Sequence, residues 1–154
     1  MDINTIRNEK IDTLNEIIGI TRDSAKFYSD ASSAVPSPNL KKLFNEMATS
    51  KNDLVSALSR EVKAEGATPE DSGTVRGKWD RWYGDMRAKF GDTDYGYVSQ
   101  LESSEDRLMN AFQGVIKDDS VPAPVKKTVQ EYLPTITAHH DLMRDRKWDM
   151  KTTH

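Results

Sequence analysis

Val35-Pro36-Ser37-Pro38-Asn39-Leu40-Lys41-Lys42 and Val121-Pro122-Ala123-Pro124-Val125-Lys126-Lys127 are two versions of one phrase, and their reading decides the fold. The first runs on into Leu43-Phe44-Asn45-Glu46 and the second into Thr128-Val129-Gln130-Glu131, with the Lys-Lys pairs 85 residues apart. Proline does not fit a helix interior but is tolerated in the first turn. Each phrase therefore closes one helix and opens the next. Short turns of this kind join antiparallel neighbours. The chain reads as two helical hairpins of related design packed together, as repeats would be.

Outward from the turns, apolar residues recur three and four apart, the helical period. Helix A is expected over 3–33, with the stripe Ile11, Leu14, Ile17, Ile18, Thr21, Ala25 and Tyr28, and with Asp2 or Asn4 as its cap. Helix B is expected over 39–66, with Leu40, Leu43, Phe44, Met47, Lys51, Leu54, Leu58 and Val62, and Gly66 as its stop. Helix C spans 95–117, with Val98, Leu101, Glu105, Leu108, Phe112, Val115 and Ile116. Helix D spans 123–150, with Val125, Val129, Tyr132, Leu133, Ile136, His140, Met143 and Lys147. Pro134 lies inside D and should bend it. The last four residues are expected to fray.

Between the hairpins, Ala67-Thr68-Pro69-Glu70-Asp71-Ser72-Gly73 reads as a linker. A short helix over 74–90 follows, carrying Val75, Trp79, Trp82, Tyr83, Met86 and Phe90. So long a connection lets helices B and C run in the same direction. The expected fold is all-α: a ferritin-like four-helix bundle, one domain over 1–154, built of hairpin 3–66, crossover helix 74–90 and hairpin 95–150. The crossover aromatics are either clamped onto the bundle or presented to a partner.

The chain has 154 residues, 36% apolar and 31% charged, which suits narrow buried stripes and charged outer faces. Its net charge of −3 argues against nucleic-acid binding. No apolar run approaches the ~20 residues of a membrane span. The polar N-terminal stretch does not read as a signal peptide, so a cytoplasmic location is expected. The chain has no cysteine, hence no disulfide and no thiolate ligand or nucleophile.

Ile11-Asp12-Thr13-Leu14-Asn15-Glu16 with Thr21-Arg22-Asp23-Ser24-Ala25-Lys26-Phe27-Tyr28 resembles the first helix of a bacterial four-helix-bundle family. That family lies within the ferritin-like superfamily and is catalogued as domain of unknown function 2383. Leu40 to Met47 is similar to its second helix. Glu102-Ser103-Ser104-Glu105-Asp106 resembles its third and Ala138-His139-His140-Asp141 its fourth. The likeness covers about residues 9 to 146. It implies a ferritin-like bundle and no particular activity.

Di-iron and di-manganese bundles take a Glu from each of two helices and a Glu-x-x-His from each of the other two. That pattern is missing. The histidines are His139, His140 and His154; Thr137 precedes His140 by three and Ile136 precedes His139 by three. Matching Tyr28 to Phe112 across the hairpins sets Thr21 against Glu105. What is left is a polar layer of Thr21, Lys51, Glu105 and His140. It either fixes helix register or is a reduced site for a divalent metal ion, with Glu105 and His140 as ligands and Glu102 or Asp106 in support. Lys51 on its apolar seam is expected to pack its stem and carry its amine to solvent, with a buried partnership to a carboxylate as the alternative. A lysine at that level repels a cation. A buried Glu105 should pair with Lys51 or His140.

Adjacent helical positions point about 100° apart, so His140 and Asp141 are not expected to face one another. No nucleophile stands with them and no glycine-rich phosphate loop is present. The lysine pairs read as solvated surface, with a small anion site as the alternative. The leading expectation is a non-catalytic bundle without a cofactor, structural or stress-associated, acting through a homo-oligomer or a protein partner. A metal-binding bundle is the alternative, and a module binding through the aromatic crossover helix is the third reading.

Overall fold

The structure is a computed structural model that describes residues 2–70 and 76–153, the side chains of 76–80, 152 and 153 excepted. It is all-helical: α1 (Ile3–Ala34), α2 (Pro38–Ala64), α3 (Arg76–Phe90), α4 (Asp94–Lys117) and α5 (Ala123–Thr153). The start of the expected crossover helix and most of the expected linker's second half fall on 71–75, outside the described residues, as does His154. The fraying expected after Met150 is not seen as far as Thr153, where α5 ends.

The starts of α1, α2 and α4 have local causes. The Asp2 carboxylate accepts from the Thr5 amide at 2.7 Å and caps α1. Ser37 caps α2 by accepting from Leu40, with Pro38 in the first turn. Thr93 caps α4 by accepting from Gly96 at 2.9 Å. α2 stops at Gly66, whose φ of +77° suits a residue without Cβ. There the Gly66 amide donates to Lys63 and the Ala67 amide to Val62, which satisfies the last carbonyls. Pro134 does not interrupt α5. It lies on the exposed side of the helix, as does Gln130, the residue one turn earlier whose carbonyl a proline cannot serve.

Named contacts fix the helix directions. Arg7 near the start of α1 donates from Nε and Nη2 to the Glu65 carbonyl at 2.9 and 2.6 Å, so α1 and α2 are antiparallel. The segment after α2 climbs back along α1. Asn15 bonds to Thr68 and Glu70, and Arg22 to Glu70. That climb returns the chain to the end where α2 began. The Ser37 amide then donates to Asp94 at 2.9 Å, joining the starts of α2 and α4. Those two helices therefore run in the same direction. α5 returns antiparallel to α4, with His140 on Asp106 and Lys147 on Glu102.

One apolar core is shared by α1, α2, α4 and α5, with Tyr28, Phe44, Phe112, Leu14, Leu58, Leu101 and Ile136 fully buried. α3 lies over α1 and α4. Tyr83 stacks on Phe27 with ring centroids 3.9 Å apart, and Arg107 of α4 sits 4.9 Å from the Trp82 ring.

The corner between α3 and α4 is tight. A Cβ on Gly96 would lie 2.4 Å from the Phe90 carbonyl oxygen and 2.8 Å from that of Gly91. Both are backbone atoms and cannot swing away. Gly96→Ala is expected to cost about 1–3 kcal/mol. Circular-dichroism melting should show Tm falling by roughly 2–4 °C per kcal/mol. An unchanged melting temperature would mean the corner is looser than these distances.

Candidate functional site

The mid-bundle polar residues form a hydrogen-bonded chain that touches four helices. The Tyr28 hydroxyl on α1 donates to Glu105 Oε1 on α4 at 2.7 Å. Lys51 Nζ on α2 lies 2.8 Å from Glu105 Oε1 and 2.9 Å from Oε2. The same Nζ lies 2.9 Å from His139 Nδ1 on α5. Tyr28, Lys51 and Glu105 are each 0% exposed.

Their stripe positions put them there, but the expectation that the Lys51 amine reaches solvent is overturned: the side chain is fully buried and Glu105 holds the amine. Tyr28, Lys51 and Glu105 sit on the inward stripes, and the parallel run of α2 and α4 brings the last two to one level. Once buried, each polar atom needs a partner, because an unpaired charge in the core costs several kcal/mol. The hydroxyl of a buried tyrosine has the same requirement. All three requirements are met within the chain of contacts.

The environment moves the protons of these groups. Burial lowers the Lys51 amine from its ordinary value, against the opposing pull of Glu105. Burial, then the Glu105 charge, raises the Tyr28 phenol well above its usual value. Burial and the neighbouring Lys51 lower His139 to about 4. His139 is thus neutral at pH 7. An ammonium only donates, so Nδ1 accepts from Lys51 and the ring proton sits on Nε2.

Thr21 is buried too, but its hydroxyl donates to the Ile17 carbonyl at 2.8 Å, one turn back on its own helix. His140 does not join the layer, and this corrects the expected set. The neighbouring His139 takes that place. The reason lies in the α5 surface. Tyr132 and His139, seven residues apart, face α2, where Tyr132 donates to Glu61 and His139 meets Lys51. His140 and Lys147, also seven apart, face α4, where they meet Asp106 and Glu102. The two histidines straddle the seam, and the one-residue step decides which reaches the core.

His140 bonds through Nε2 to Asp106 at 2.5 Å and through Nδ1 to Asp141 at 3.1 Å. The expectation that His140 and Asp141 stay apart is therefore overturned. Adjacent side chains diverge at Cβ, but these two are long enough to fold back along the surface. Partial burial lowers the His140 value, yet the bonds to Asp141 and Asp106 outweigh it and leave the ring raised.

The candidate ligands do not converge. Both Glu105 oxygens serve Lys51 and one also serves Tyr28, Glu102 faces Lys147 at 3.5 Å, and the two carboxylates on His140 occupy opposite ring nitrogens. Among the described residues no group of three His, Asp or Glu side chains is placed to hold a metal ion. Of the crossover aromatics, Tyr83 is turned onto Phe27 and Ser104 and is buried. Trp82 packs against the core, while the side chain of Trp79 lies outside the described residues. Among the described residues no helix is long and apolar enough to cross a membrane.

Sequence reading missed two groups. Tyr28 was placed on the apolar stripe without its hydroxyl, although burial of a tyrosine is itself a signal that a partner is needed. For His139 the pattern offered no signal beyond adjacency.

The environments predict opposite titration behaviour for two adjacent histidines. His139 should titrate near 4 and His140 above 6.5 in NMR ring-proton titrations. The linkage has opposite signs. Stability from His139 is present above 6.5 and is lost as pH falls through about 4. Stability from His140 is present below 6.5 and is lost as pH rises through its raised value. Two rings titrating together near 6.5 would contradict the placement of both.

A family model described as Domain of unknown function (DUF2383) matches residues 9–118. No curated protein matches, and no solved structure does.

Proposed function

The chain belongs to the DUF2383 family, and from that membership we propose a non-catalytic ferritin-like bundle whose internal cation is its own lysine. The observation that supports this reading is the Lys51 amine, 2.8 Å from Glu105 and fully buried between α2 and α4. Carboxylates in the middle of a four-helix bundle can serve a metal centre. Here an ammonium takes the inward carboxylate. A second positive charge a few ångströms away would be strongly repelled in so dry a site. The protein thus acts as a structural bundle, one domain throughout, with its polar chain setting helix register. We place it in the cytoplasm, working through a second copy or a protein partner.

The test is elemental analysis of the purified protein before and after loading with iron(II), manganese(II) or zinc(II). No stoichiometric metal should be retained after desalting. One or two equivalents held by the wild type, and released by Glu105→Ala, would overturn the reading.

A further inference from the structure

α2 and α5 are held together by side chains rather than by close backbone packing. The backbones of α1 and α2, and of α4 and α5, lie close along their lengths, whereas those of α2 and α5 approach only weakly. Two side-chain links bridge the gap: Lys51 to His139, and Tyr132 to Glu61. Between them opens a cleft of about 340 Å³, lined by Ser50, Leu54, Ala57, Tyr132, Thr135 and His139, with Asp53 at the exposed rim. His139 stands between this cleft and the buried charges. Its Nδ1 is turned inward, and its Nε2 has no hydrogen-bond partner among the described residues.

We propose that His139 is an acid-operated latch on the α2–α5 seam. When its ring takes up a second proton, Nδ1 can no longer accept from Lys51, two cations face each other, and the seam opens along the cleft.

The surrounding charges favour this outcome. From α2, Lys51 faces the ring directly and Asp53 stands at the solvated rim. From α4, Glu105 stands behind Lys51 and is already engaged by it and by Tyr28. From α5 itself, Tyr132 is tied to Glu61. Among the described residues the carboxylate that lines the cleft is exposed Asp53, where water screens its attraction for an imidazolium. The lowered value of His139 agrees with this geometry, since the fold resists the second proton. The weak backbone contact makes this seam, rather than α4–α5 or α1–α2, the place where the strain is released.

Hydrogen exchange followed by mass spectrometry at pH 7 and pH 3.5 tests the latch, with rates normalised to intrinsic amide chemistry. In the wild type, amides of 50–58 and 132–139 should exchange about tenfold or more faster at the lower pH, ahead of 98–108 on α4. His139→Gln keeps a carbonyl acceptor for Lys51 but cannot be charged. In that variant the same segments should change by no more than about twofold. A seam that opens equally in the glutamine variant, or stays closed in the wild type, overturns the proposal. Should the variant fail to fold at pH 7, the wild-type His139 ring resonance decides. Its titration must coincide with the rise in seam exchange, and opening with His139 still neutral sinks the idea.

Discussion

Lys51→Met is expected to remove about 3–5 kcal/mol of stability at pH 7. Methionine matches the lysine stem in length and keeps the packing, so the loss isolates the charge. It leaves Glu105 buried with only the Tyr28 hydroxyl as partner. The carboxylate must then stay charged without a cation or take up a proton. Acidification supplies that proton, so the variant should regain part of its deficit relative to wild type as pH falls from 7 toward 4. Such a loss is a large share of the ~5–15 kcal/mol that holds a typical domain folded. Urea denaturation at several pH values reads it directly. A variant within ~0.5 kcal/mol of wild type at pH 7, the range of ordinary surface changes, would mean that the pair is hydrated and not buried.

Glu105→Gln should produce the mirror image. The side chain keeps its size and can still accept from Tyr28, but Lys51 now carries an unpaired buried charge, at a cost again of about 3–5 kcal/mol. The sign of the pH dependence reverses. Burial already lowers the Lys51 amine and Glu105 is the group that opposes it, so removing Glu105 lowers the amine further. Between that lowered value and the unfolded 10.5, the unfolded chain binds a proton that the folded chain does not. Stability of the variant relative to wild type therefore rises as pH rises through that window. The double variant Lys51→Met/Glu105→Gln removes both charges together. It should cost less than the sum of the two single changes, by a coupling of about 2–3 kcal/mol. Simple additivity would show that Lys51 and Glu105 do not interact in solution.

The carboxylate's partners explain why the effects are asymmetric in detail. After loss of Lys51, Glu105 retains one donor. After loss of Glu105, Lys51 retains His139, a neutral acceptor that reaches the cleft. A lysine with such an acceptor can shed its proton toward water more easily than a core carboxylate can gain one. Recovery with pH should accordingly be steeper in Glu105→Gln.

Much of this protein was legible without coordinates. Pro36, Pro38, Pro122 and Pro124 fix where two helices stop and two begin, because proline acts within its own turn of backbone. Asp2, Gly66 and Thr93 act as locally, through a cap or a left-handed φ. The inward stripes follow from the period of the helix and put Lys51 and Glu105 on core-facing positions; that the Lys51 amine stays inside and does not reach solvent was settled by the packing. The length of the connection after Gly66 required only that α2 and α4 could be parallel.

Which polar atoms meet was decided in three dimensions. The choice between His139 and His140 turns on a one-residue rotation of α5 against two neighbours, which no periodicity resolves. The Tyr28 bond to Glu105 spans 77 positions in the chain. The fold of His140 onto Asp141 depends on side-chain torsions and not on backbone direction. Local backbone rules write helices into the sequence; the pairing of buried charges depends on how whole helices rotate against one another, and only the packed bundle sets that.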